Sequence, residues 1–201
     1  MVRRFVVVVS LSVLSALPLR GASTAQFTIR VFVECFDAAA AWPLRIAETE
    51  TDRRLRSLGI YVEWHDGAIR RGDRSLVPTF SILILSPEMT AQKVRAEGIT
   101  SATLATANKP ARRTYVFYDR VSREADRLGS QPGTLLGRVV THELGHLLAE
   151  LDHGSLGIMR PTLARSEAGY FDFTDAEKQA IRRALTAARP TAGDVMATTQ
   201  R

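Results

Sequence analysis

Three of the chain's four histidines stand within twelve consecutive residues, His142 to His153, in the stretch "THELGHLLAELDHGSLGIMRP" (141–161). His142 and His146 are four apart. On a helix turning about 100° per residue they lie about 40° apart and one turn along, where both imidazoles can reach one ion. Glu143 falls about 100° from His142, beside the pair but off its line, suited to take a proton from water near the ion without binding the ion itself. Two neutral imidazoles suit Zn²⁺, and this HExxH spacing is that of zinc hydrolases. Such a site needs a third ligand. If the helix simply continued, His153 would lie about 10 Å beyond His146 at ~1.5 Å per residue, too far for bonds of ~2.1 Å to one ion. The chain must therefore turn back between Leu147 and His153.

The sequence HExxH, a histidine or aspartate a few residues on, and "GIMRP" together resemble the metzincin zinc metalloproteases, in particular secreted bacterial matrixin-like and snapalysin-like members. "YVFYDRV" before the helix and "HELGHLL" within it carry the same likeness, which is strong over residues 136–161 and weak elsewhere. The resemblance implies zinc as cofactor, a peptide or protein substrate, and Met159 as the methionine of a tight turn forming an apolar floor under the metal. Two departures stand out. The family pattern HExxHxxGxxH/D has glycine where this chain has Ala149, and its third ligand aligns with Asp152. A left-handed turn at alanine costs ~1–2 kcal/mol, unless the turn lies elsewhere. His153 is the expected third ligand, because imidazole is the commoner zinc donor. Asp152 is the alternative, and a downstream glutamate, Glu167 or Glu177, the third choice. The tyrosine that some families carry two residues after the methionine is Pro161 here.

These groups need a scaffold. Leu136, Val140, Leu144, Leu147 and Leu151 make a separate apolar stripe that would face a core, with Arg138, Thr141 and Gly145 toward solvent. Strands are expected at 27–33 ("FTIRVFV"), 60–64 ("IYVEW"), 79–86 ("TFSILILS") and 113–119 ("RTYVFYD"), with a weaker one at 101–106. Helices are expected at ~42–58, ~121–128, from ~133 into the histidines, and at ~174–188, where Thr174 and Glu177 have capping-box spacing. The order specifies an α/β fold: a small, twisted, mostly parallel sheet of about five strands with an active-site helix and a C-terminal helix, as in metzincins. No glycine-rich phosphate loop follows any strand.

The N-terminus "MVRRFVVVVSLSVLSALPLRGASTAQF" has a basic start, an apolar run of about 15 residues and small residues near Ala25, the layout of a secretory signal peptide. The run is short of the ~20 residues a spanning helix needs. Residues 1–25 are read as the leader, 26–189 as one catalytic domain and 190–201 as a flexible tail, giving a secreted or periplasmic protein with no stable membrane insertion after cleavage. Loss of the leader leaves 24 basic against 21 acidic side chains, a net +3 down from +6, too mild to imply a nucleic-acid surface. Cys35, the single cysteine, excludes an internal disulfide and reads as a small buried hydrophobe. His65 reads as an exposed loop residue, and Tyr115, Tyr118 and Tyr170 as packing groups. The expected function is a secreted, monomeric zinc endopeptidase with His142, His146 and His153 on the metal and Glu143 as proton carrier. The alternative is a zinc-stabilised, non-catalytic binding domain on the same scaffold, which would have no need of Glu143.

Overall fold

Alternation places Phe27, Ile29, Val31 and Val33 of the first strand on one face, and all four are buried, which defines the side on which the helices pack. The computed structural model describes residues 26–70, 72, 75–162 and 172–188. The leader 1–25, the tail 190–201, Glu167 and Tyr170 lie outside the described residues. The elements are β1 (Phe27–Cys35), α1 (Ala41–Arg56), β2 (Ile60–Asp66), β3 (Thr79–Leu85), α2 (Pro87–Glu97), β4 (Ala105–Asn108), β5 (Arg113–Phe117), α3 (Tyr118–Leu128), α4 (Pro132–Ala149) and α5 (Asp175–Ala187). The sheet order is β2-β1-β3-β5-β4. Its pairings are parallel except β4 with β5. This is the expected α/β fold with a five-stranded, mostly parallel sheet.

Helix α4 differs from its expected setting. Twelve of its eighteen residues are buried, so it has no solvent face of the width expected. Thr141 is fully buried; its Oγ1 donates to Gly137 O at 2.7 Å and lies 3.3 Å from Thr51 Oγ1 on α1. A Cβ at Gly133 would stand 2.6 Å from Ile46 Cβ, and one at Gly137 2.7 Å from Glu50 Cβ. Small residues on this side let α1 pack backbone to backbone against α4. The helix is thus wrapped on several sides, and its residues of low polarity or small size read as exposed only because periodicity cannot see a second neighbour.

Four further expectations are corrected. Strand β4 starts at Ala105, not at 101, because Arg120 Nη1 donates to Thr100 O (2.6 Å) and Thr103 O (2.9 Å) and so occupies carbonyls a strand would pair. His65 belongs to β2, opposite Phe32, and its ring stacks on Phe32 at 4.7 Å. Cys35 is exposed, since β1 runs past the covered part of the sheet and the Sγ turns to Asp37 O at 3.2 Å. Helix α2 was not expected, although its signals are local: Ser86 Oγ caps Met89 N, Pro87 opens the first turn and Gly98 closes it at φ 64°.

Candidate metal centre

The end of α4 decides where the third histidine goes. Glu150 takes the left-handed conformation, φ 51° and ψ 30°, and breaks the helix. The family spacing puts its third ligand three residues beyond the left-handed glycine. Here the left-handed residue comes one position later, at Glu150, and three residues beyond it is His153. A chain reversal at a residue other than glycine is uncommon, and it is anchored on both sides by the contacts that follow.

The reversal brings three imidazoles together. One ring nitrogen from each of His142, His146 and His153 lies within 4.8 Å of the others. His142 Nε2 is 3.2 Å from His153 Nε2 and 3.1 Å from His146 Nε2. On the far sides of two rings, His142 Nδ1 lies 2.8 Å from Ile158 O, and His146 Nδ1 contacts Leu151 O. A carbonyl only accepts, so each Nδ1 must carry the proton and each Nε2 presents a lone pair to the shared point. Burial holds His142 down at about 4, with the neighbouring imidazoles adding to the effect, and burial lowers His146 as well. Both rings are neutral at pH 7. Three convergent imidazole nitrogens are a donor set that fits Zn²⁺ with a direction left open.

A turn beneath the helix supports this arrangement. Gly154 N donates to Met159 O (2.9 Å) and Ile158 N to Asp172 O (3.0 Å), holding the carbonyl that orients His142. Gly157 sits at φ 70°, and a Cβ there would stand 2.8 Å from Asp172 O, so the turn needs glycine for both conformation and space. Met159 is fully buried against Gly145, where a Cβ would lie 2.6 Å from its Sδ and 2.9 Å from Phe173 Cε1. Gly145, expected on a solvent side, is instead the notch that admits Met159 below the histidine-bearing turn.

Glu143 is 6% exposed, and burial pushes its carboxyl up to about 8. It lines a cleft with His142, His153, Val139, Leu104 and Ala105, the last two at the sheet's margin. Asp152 is exposed and stands outside the triad. Glu177 is occupied elsewhere: its Oε2 accepts from Thr174 N at 2.6 Å while its own N–H donates to Thr174 Oγ1 at 3.3 Å, the expected capping box of α5. The carbonyls of Leu151 and Ile158 had no signal in the sequence, since backbone oxygens are present at every position, and the place of Arg160 on the cleft wall follows only from the fold.

No family model matches the sequence, and no curated protein does. Among solved structures, the chain resembles archaemetzincin from Methanopyrus kandleri at 15% identity and a TM-score of 0.52, over 84% of this chain and 99% of that one. It also resembles a zinc-dependent peptidase from Methanocorpusculum labreanum at 14% identity and a TM-score of 0.50, over 75% of this chain and 99% of that one. At these identities the likeness is one of fold, shared with these two structures.

Proposed function

We propose that this chain is a zinc-dependent endopeptidase, exported and processed near Ala25 and acting as a monomer on extended peptide or protein segments. The observation that carries the reading is the placement of three imidazole nitrogens within 4.8 Å beside a buried carboxyl that opens to the same cleft. Zn²⁺ held by these imidazoles would polarise a carbonyl and make a water acidic enough to give up a proton near neutral pH. His142, His146 and His153 are its proposed ligands, the first two held in register by Ile158 O and Leu151 O. Glu143 is the proposed proton carrier: its carboxylate takes a proton from the attacking water and passes it to the nitrogen of the breaking amide bond, which departs as an amine. Without a metal, burial holds the Glu143 carboxyl high; a dication on the neighbouring imidazoles would draw it back toward the carboxylate form that accepts a proton. Met159 packs beneath the ligand helix and takes no part in proton transfer.

Strand β4 ends the sheet beyond β5, with Leu104 and Ala105 on the cleft wall. An extended substrate laid along that margin would gain main-chain hydrogen bonds and bring one peptide carbonyl over the histidines. The test is Glu143→Gln in the zinc-loaded protein. Hydrolysis of casein and of synthetic peptides should fall below detection while zinc stoichiometry stays at the wild-type value. Loss of zinc together with activity would make Glu143 a ligand or a folding determinant instead. Full zinc with no hydrolysis by the wild type would favour the non-catalytic binding domain.

A further inference from the structure

The cleft beside the histidines, about 540 Å³ in volume, carries a charge that the proposed reaction does not use. On its α3 side Glu124 and Arg127 satisfy each other: Arg127 Nε donates to Glu124 Oε2 at 2.7 Å and Nη2 to Oε1 at 2.6 Å. Arg160 is different. It lines the same cleft and is half-buried, yet among the described residues no carboxylate pairs with it. A guanidinium partly withdrawn from water without a counter-charge is costly, and a planar carboxylate matches its fork of donors.

The backbone fixes where this charge stands. The peptide joining His153 to Gly154 is hydrogen bonded to the peptide joining Met159 to Arg160, through Gly154 N and Met159 O at 2.9 Å. A metal-site histidine and the arginine therefore leave the loop 154–159 side by side, separated by one hydrogen bond. Met159 anchors the arginine's stem side by full burial, and Pro161 excludes helical geometry at the residue before it.

We propose that Arg160 is a specificity-determining residue that selects substrates presenting a carboxylate close to the scissile bond. The carboxylate is that of an aspartate or glutamate side chain, or of the substrate's own C-terminus. This rests on the peptidase reading. An uncharged isostere in the same place leaves the cation unpaired, and a site built around a polar partner rejects an analogue that lacks it.

The test uses the zinc-loaded full chain and otherwise identical peptides with glutamate or glutamine at each position within three residues of the cleaved bond, each with a free or an amidated C-terminus. At one position glutamate should raise kcat/KM over glutamine by about 10-fold or more. In Arg160→Gln that ratio should collapse toward unity, and in Arg160→Lys, which keeps the charge without the fork, part of it should remain. A preference confined to free C-termini assigns the carboxylate to the peptide end and supports the inference in that form. Equal kcat/KM for all peptides, in a protein that cleaves them, overturns the inference and leaves the peptidase reading intact. If nothing is cleaved, the peptidase reading falls, and calorimetric titration of the same peptides decides. Tighter binding of the carboxylate forms by about 10-fold, lost in Arg160→Gln, sustains the inference; equal or absent binding overturns it.

Discussion

Gly145→Ala sets two physical effects against each other. In an ordinary helix interior alanine is more favourable than glycine by about 1 kcal/mol. Here the added Cβ would stand 2.6 Å from Met159 Sδ and 2.9 Å from Phe173 Cε1, both well inside the ~3.5–4.0 Å of comfortable contact. Met159 is fully buried and Phe173 is 3% exposed, so neither has open space to enter. Overpacking of this kind costs roughly 1–3 kcal/mol, which cancels the helical gain and leaves a net loss of up to ~2 kcal/mol. For a domain of this size the full loss lowers Tm by roughly 4–8 °C. The same displacement reaches the ligands, because Met159 follows Ile158, whose carbonyl orients His142. Disturbed outer contacts of this type weaken metal binding by about 10–100-fold. Thermal denaturation and zinc competition with a chromophoric chelator measure the two effects. A stabilised variant with unchanged zinc affinity would refute the packing argument. Met159→Ala in the Gly145→Ala background should relieve the clash, giving a coupling of at least ~0.5 kcal/mol in a double-mutant cycle.

Other consequences follow at the site and the chain's end. His153→Ala should weaken zinc binding by at least ~10–100-fold, a loss of roughly 1.4–2.7 kcal/mol, with Asp152→Ala doing less; the reverse order in chelator competition would return the third ligand to Asp152. In the metal-free protein, burial raises Glu143 to about 8 from an ordinary 4.5, so folding opposes its ionisation and stability declines as pH rises from about 4.5 to 8. Glu143→Gln removes that decline. Its denaturation midpoint should match the wild type near pH 4 and exceed it at pH 8, by an upper bound of ~4–5 kcal/mol at about 1.4 kcal/mol per pKa unit. A gain independent of pH would show that burial of the charge is not its source. Export predicts a mature protein beginning near Gln26, read by mass spectrometry of the extracellular or periplasmic fraction; a cytoplasmic product retaining Met1 would exclude it.

Periodicity and short-range chemistry carry a great deal of this protein. The four-residue spacing of His142 and His146, with Glu143 beside them, follows from the pitch of one helix and needs no tertiary information. So do the strands with β-branched and apolar runs, the capping box of α5, and the requirement that the chain reverse before His153. What no local rule could decide is where it reverses. That depends on Glu150 accepting a left-handed conformation, with Lys109 Nζ donating to its carbonyl from far away in sequence and Ile158 held by Asp172 further along the loop, and it sets which side chain meets the two helical imidazoles. The same limit explains Gly145 and Thr141: helical spacing separates faces but cannot say how many neighbours the helix will have, and α1 and Met159 use sides that the pattern leaves to solvent. Arg120 likewise delays β4 by filling carbonyls from a helix that comes later in the chain. Arg160 stands in plain view within "GIMRP", yet its meaning depends on a charge that no carboxylate among the described residues pairs with, in a cleft assembled from α3, α4 and the sheet's margin. Burial and electrostatics are properties of what surrounds a residue, and those surroundings come from residues far away in sequence.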